Sequence, residues 1–204
     1  MFTLWFMGRP ASGKSTLAAQ VERELVEEGH PIENLDGDEV RKNLHPELGF
    51  TKEDRAINNR RTAFIAKLLN HNGINAIVAM ITPFREAQRQ AREIIAEEGE
   101  FVLIYVKTPL EVCERRDPKG MYDQARDGKI DNFTGISHPF QEPIDPEIIV
   151  ETADRDVEEC VEHIMSRLAE LGVLEEPIER NGFSLTPSEY QRIIDDLQDS
   201  GHIQ

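Results

Sequence analysis

Two apolar periods alternate along this chain. Short, nearly continuous apolar runs at 4–7, 32–35, 76–81, 102–106 and 148–150 predict buried strands. Between them, apolar residues recur at helical spacing over 15–28, 52–71, 83–98, 109–116 and 154–171. Gly29, Gly99 and Gly172 stand where helices commonly end. Strand–helix alternation predicts an α/β domain with a parallel sheet and helices on both faces. Periodicity fails from 117 to 146, where prolines and glycines gather, and a segment of that length predicts a mobile functional lid. The domain is expected to occupy 1–174. Residues 175–204 read as an extension, in which Thr186-Pro187-Ser188-Glu189 has the form of a helix start and Tyr190, Ile193, Ile194 and Leu197 share one face.

Composition narrows the function. Hydrophobic residues make up 39% of the 204 positions, enough for a core, and no stretch approaches the ~20 apolar residues of a membrane span. The run after Met1 has no basic flank, so it reads as a first strand rather than a signal peptide, and a cytoplasmic location fits best. Cys113 and Cys160 lack metal-site spacing. A net charge of −16 argues against a nucleic-acid partner, whose phosphates need a basic face. It equally opposes any small anionic substrate, so local cations and backbone amides must overcome the field within a cleft. Such acidity fits either a saline habitat or an ordinary acidic enzyme.

The first strand runs into Gly8-Arg9-Pro10-Ala11-Ser12-Gly13-Lys14-Ser15, a full G-x-x-x-x-G-K-[ST] phosphate loop, with Thr16 next in the helix it opens. Glycines let the backbone wrap a polyphosphate, and the helix N-terminus adds positive potential. Lys14 is expected on the β- and γ-phosphates of ATP and Ser15 on Mg²⁺. There is no N-K-x-D guanine-reading run. Asp36 and Asp38 follow the second strand, where parallel sheets place their binding crevice. Asp38 is the candidate to orient or deprotonate an attacking hydroxyl; Asp36 either serves Mg²⁺ or caps the next short helix. On the helix from Lys52, Arg55, Asn58, Asn59 and Thr62 form a polar strip, while Ile57, Phe64 and Leu68 lie opposite and predict the core face.

Several stretches in register resemble the adenylylsulfate (APS) kinase family over residues 1 to about 172. They are the phosphate loop, Asp36-Gly37-Asp38-Glu39-Val40-Arg41, Leu48-Gly49-Phe50, Asp54-Arg55 with Asn58, Ile81-Thr82-Pro83-Phe84-Arg85, Arg116-Asp117-Pro118-Lys119-Gly120 and Phe133-Thr134-Gly135-Ile136. The resemblance implies a P-loop kinase that phosphorylates the ribose 3′-hydroxyl of adenylylsulfate with Mg²⁺-ATP, as a homodimer. It assigns the acceptor to Asp38, Arg41, Arg55, Asn58, Ile81, Thr82 and Lys119, with Phe50 and Phe133 sandwiching its adenine, and places Arg116 on the ATP side. Ile57, Asn59, Thr82 and Asp131 depart from the family pattern. A kinase of the same fold for another hydroxyl acceptor, or a non-catalytic nucleotide sensor, are the alternative readings.

Overall fold

The computed structural model describes residues 1–174; the expected extension at 175–204 lies outside the described residues. Five parallel strands form one sheet in the order β2-β3-β1-β4-β5. They are β1 (Phe2–Met7), β2 (Ile32–Asp36), β3 (Asn75–Ala79), β4 (Glu100–Lys107) and β5 (Ile148–Glu151). Each expected strand is present, shifted at its ends by no more than two residues.

The period-two geometry of β1 separates the two cores. Phe2, Leu4 and Phe6 face Leu17, Val21 and Leu25 of α1 (Lys14–Glu27) and Val161, Ile164 and Leu168 of α7 (Val157–Glu170). Trp5 and Met7 point the other way, toward Ala63 and Ala66 of α3 (Lys52–His71) and Ala91 and Ile95 of α4 (Arg85–Ile95). A β strand covered on both faces is largely apolar; all six residues of β1 are buried, and its one polar residue, Thr3, donates to Asn70 Oδ1 at 2.8 Å. α7 begins with a reciprocal cap, Asp156 accepting from Glu159 N while Glu159 accepts from Asp156 N. No helix among the described residues is long and apolar enough to cross a membrane.

Of three further features, the first and third correct the sequence reading, and the second is the short helix expected after Asp36. First, α3 is turned opposite to expectation. Phe64 and Leu68 are 52% and 45% exposed, while Arg55, Asn58, Asn59 and Thr62 are buried. The helix approaches the sheet through its alanines, and the space beside them is a cleft that polar side chains line. Second, a short helix α2 (Gly37–Leu44) follows β2 without a linker. Third, the 117–146 segment is not without regular structure. It holds α6 (Met121–Arg126), just after α5 (Leu110–Arg116), and Tyr122, Ala125 and Phe133 pack with Cys113 into a small apolar cluster. The far end of the segment is tied to the sheet by Glu147, which takes two hydrogen bonds from Arg92 at 2.7 and 2.9 Å and one from Leu103 N at 2.7 Å.

Candidate active site

β1 connects through α1 to β2 on one side of it, whereas its neighbour β4 connects to β5 on the other, so the crevice opens at the carboxyl end of β1. The loop from Gly8 to Gly13 lies there. A Cβ on Gly8 would stand 2.6 Å from Val106 O and 2.8 Å from Ser12 Oγ, so only glycine lets the loop leave the sheet this closely. Gly13, at φ 103°, is the left-handed residue before α1. Behind the loop, Lys14 Nζ donates to Arg9 O at 2.7 Å and to Ser12 Oγ at 3.4 Å. Burial lowers its pKa to about 8, since little around it neutralises the ammonium, although Asp38 and Asp36 work in the opposite sense.

A cavity of about 660 Å³ runs from this loop to α3. Ser12, Lys14, Ser15 and Thr16 line one end, and Asp38, Arg41, Phe50, Arg55 and Asn58 the other, with Ile81 and Thr82 between. Gly8 and Arg9 do not line it. Arg9 stacks on Phe140, with 4.7 Å from its guanidinium carbon to the ring centroid, and its carbonyl holds Lys14.

Asp36 caps α2, one of the two roles expected of it, and also meets Ser15. Its Oδ1 accepts from Asp38 N and Glu39 N, capping α2, while its Oδ2 accepts from Ser15 Oγ at 2.7 Å. The hydroxyl and carboxylate thus meet at the mouth of the phosphate loop. Asp38 Oδ2 pairs with Lys119 Nζ at 2.8 Å, which joins the acceptor end of the crevice to the 117–146 segment. That carboxylate raises the Lys119 pKa through its hydrogen bond and charge. Tyr122 makes a second link to the segment, its hydroxyl donating to Pro10 O at 2.9 Å.

The acceptor end is distinctive electrostatically. Arg41 donates to the carbonyls of Leu48 and Gly49, and Arg55 to those of Phe50 and Asn132. Neither guanidinium lies in an ion pair among the described residues. Both rest on Phe50, with 4.7 and 5.4 Å between guanidinium carbon and ring centroid. Burial lowers the pKa of each, that of Arg55 to about 10 with Arg41's charge adding to the effect. These two partly desolvated cations lie side by side and hydrogen-bond to neutral carbonyls, with Asp54 and Asp38 offsetting part of the effect on Arg41, a pairing that suits an oxyanion. In a chain of net charge −16 this is the local reversal that an anionic acceptor requires.

The predicted aromatic pair is not assembled in this structure. Phe50 is 53% exposed on the cavity wall, whereas Phe133 is 7% exposed and stands edge-on to Tyr122 with ring centroids 4.9 Å apart. Thr82 lies at the cavity with φ 43°, unusual for a β-branched residue. Its hydroxyl accepts from Trp5 Nε1 at 2.9 Å and its carbonyl from Gln88 at 3.1 Å, and these bonds hold the conformation. Arg116 donates to Thr152 Oγ1 at 3.0 Å and to Ser12 O at 3.4 Å, bracing the phosphate loop, and it lines the cavity beside it.

Sequence reasoning missed one wall. Thr152, Arg155, Asp156 and Cys160 line the cavity from the β5–α7 turn. Their signal was positional: they follow the carboxyl end of a strand, as Asp36 does. His45, buried behind Asn58, was also missed, because no spacing links a histidine at the end of α2 to α3.

The family model described as adenylylsulphate kinase matches residues 1–151. An adenylyl-sulfate kinase of Halothermothrix orenii is 49% identical over 175 residues, covering 86% of this chain and 93% of the relative. One from Rippkaea orientalis is 45% identical over 176 residues, covering 86% and 96%. Among solved structures, the APS kinase of Mycobacterium tuberculosis in complex with AMPPNP and APS superposes with a TM-score of 0.79 at 42% identity, covering 82% of this chain and 96% of that one. By a family model that covers residues 1–151 and by relatives matched over most of their length, this chain belongs to the adenylylsulfate kinase family.

Proposed function

We propose that this protein transfers the γ-phosphate of ATP to the ribose 3′-hydroxyl of adenylylsulfate, giving 3′-phosphoadenylylsulfate and ADP. The observation that carries this reading is the Arg41–Arg55–Phe50 constellation, a dianion receptor with an exposed aromatic face, set across one cavity from a phosphate loop. A phosphosulfate joined to an adenine asks for that pairing of charge and ring.

In this reading the loop amides and Lys14 hold the β- and γ-phosphates. The 3′-hydroxyl lies beside Asp38, whose carboxylate orients it and takes its proton as the oxygen attacks phosphorus. The bond from phosphorus to the ADP oxygen breaks as the new bond forms, and Lys14 offsets the charge that gathers there. Ser15 Oγ and Asp36 Oδ2 are hard oxygen donors 2.7 Å apart, which suits Mg²⁺. When bound there, Mg²⁺ would supply neutralisation of the phosphates' negative charge.

Arg41, Arg55 and Asn58 position the acceptor, with Ile81 and Thr82 along its side. Phe50 takes one face of the adenine, and closure of the 117–146 segment would bring Phe133 to the other and Lys119 toward the phosphates. Closure also keeps water from competing for the γ-phosphate. The same reading includes a homodimer, which would cover the exposed apolar groups Leu44, Phe64 and Leu68 on α2 and α3; analytical ultracentrifugation checks it.

The test is ADP release from Mg²⁺-ATP with and without adenylylsulfate, followed by chromatography of the nucleotide product. Release that depends on adenylylsulfate, with a 3′-phosphorylated product, is expected. Tight ATP binding with no stimulation would move the acceptor to another small-molecule hydroxyl.

A further inference from the structure

Two neighbouring asparagines on α3 line the acceptor end of the cavity, and they are treated differently. Asn58, 2% exposed, has its Oδ1 2.7 Å from Nδ1 of His45, itself 4% exposed at the end of α2. Asn59, 3% exposed, has a buried Nδ2 with no partner. An amide lining such a cavity has two orientations of similar shape and opposite polarity. One presents NH₂ to a ligand, the other presents a carbonyl. For an anionic acceptor only the first is productive, so something has to choose between them.

We infer that His45 is a positioning residue for the acceptor: its Nδ1–H holds the Asn58 carbonyl and thereby turns the Asn58 NH₂ toward the cavity. This rests on the adenylylsulfate reading for the ligand, though the bond itself does not. An amide oxygen can only accept, so the 2.7 Å contact requires the proton on Nδ1. His45 is well placed to be rigid. Its backbone N–H donates to Arg41 O at 3.1 Å as the cap of α2, and its carbonyl accepts from Leu48 N at 3.1 Å. The same stretch therefore carries Arg41, which faces the ligand, and His45, which sets Asn58. Its far edge lies in a separate groove lined by Leu44, Arg60, Arg61 and Phe64, so the ring acts on the cavity through Asn58 alone. Burying both polar side chains without this bond would leave two unsatisfied groups, which is the reason the arrangement holds.

The test uses the full-length protein with four variants: H45N, H45A, H45Q and N58A. In asparagine the Nδ2 occupies the place of the histidine Nδ1, so H45N keeps the donor, whereas H45Q moves it outward and H45A removes it. H45A and H45Q are expected to raise the KM for adenylylsulfate about tenfold, with kcat and the KM for ATP changed by no more than about twofold. H45N is expected to stay within about twofold of the parent, and H45A combined with N58A to be no worse than N58A alone. Equal loss in H45N and H45A, a matching rise in the KM for ATP, or additive effects would overturn the proposal. Should H45A fail to fold, as thermal melting would report, the contrast between H45N and H45Q carries the same decision. The ring's ¹⁵N shifts read the tautomer whatever the acceptor proves to be: an Nδ1–H form is expected, and an Nε2–H form overturns the assignment. Failure of the parent protein to use adenylylsulfate would instead count against the function proposed above, with the tautomer still deciding the role of His45.

Discussion

The two ends of the cavity are built on opposite principles. The phosphate end is made of backbone. Its loop is continuous in sequence, its glycines answer steric demands at Gly8 and Gly13, and its lysine, Lys14, is held against loop carbonyl and hydroxyl oxygens. The acceptor end is made of side chains from separate elements. Arg41 comes from α2, Phe50 from the turn after it, Arg55 and Asn58 from α3, and Thr82 from the loop after β3. A polyphosphate is the same for every ATP-dependent enzyme, so a local motif suffices for it. The acceptor differs from enzyme to enzyme, and side chains on separate elements can change independently.

Variants at the two ends should therefore fail in different ways. The largest effect is expected from Lys14→Ala, which should lower turnover by at least ~10³-fold while circular dichroism and melting show an intact fold. Near-normal turnover would remove the phosphate end from the chemistry. Next, Asp38→Asn should cut kcat by ~10²–10³-fold and leave the KM for adenylylsulfate within a few-fold. A change confined to KM would make Asp38 a binding residue, and the division between the two ends would then lie elsewhere.

Arg55→Ala should act on the acceptor alone. The loss of a charged hydrogen-bond donor predicts a rise in acceptor KM of ~10–100-fold, with ATP affinity unchanged in direct titration. Weakening of both substrates together would show that the ends are coupled. The smallest effect concerns pH. Because burial lowers Lys14 to about 8, its ammonium is present below that pH and is lost as pH rises through it. Affinity for ATP should be flat on the acid side and then fall, by at most ~10-fold per pH unit. The sign for stability is the reverse. The unfolded chain keeps this proton to a higher pH, so Lys14 costs stability below about pH 8 and costs less as pH rises beyond it. Affinity that holds level to pH 9.5 in a fluorescence titration would show that the ammonium is better neutralised than its surroundings indicate.

The same contrast explains what was readable in advance. The strand pattern placed all five strands, because β1, β3 and β4 are buried on both faces and their apolar runs have no competing explanation. The phosphate loop was readable because its residues interact mainly with one another. On α3 the polar strip was recognised, but the core was assigned to the wrong side. Helical periodicity separates two faces without saying which one meets the sheet, and large apolar groups such as Phe64 bias the choice. Here Ala63 and Ala66 make the contact and leave room for the cleft. The helix α6 escaped notice because its six residues hold less than two turns of pattern.

From its sequence alone, this chain has an α/β domain, a nucleotide-binding loop with its lysine and serine, and a set of acidic and basic residues whose order is that of the adenylylsulfate kinases. Those features are local, or are read from motifs that lie in register. Tertiary structure alone decided that Arg41 and Arg55 share one aromatic ring, that Asp36 serves both a helix and Ser15, that Phe133 packs on Tyr122, and that His45 holds Asn58. Each of these depends on the distance and direction between side chains on different elements. Such distances are set by how helices seat on a twisted sheet, which no spacing along the chain encodes.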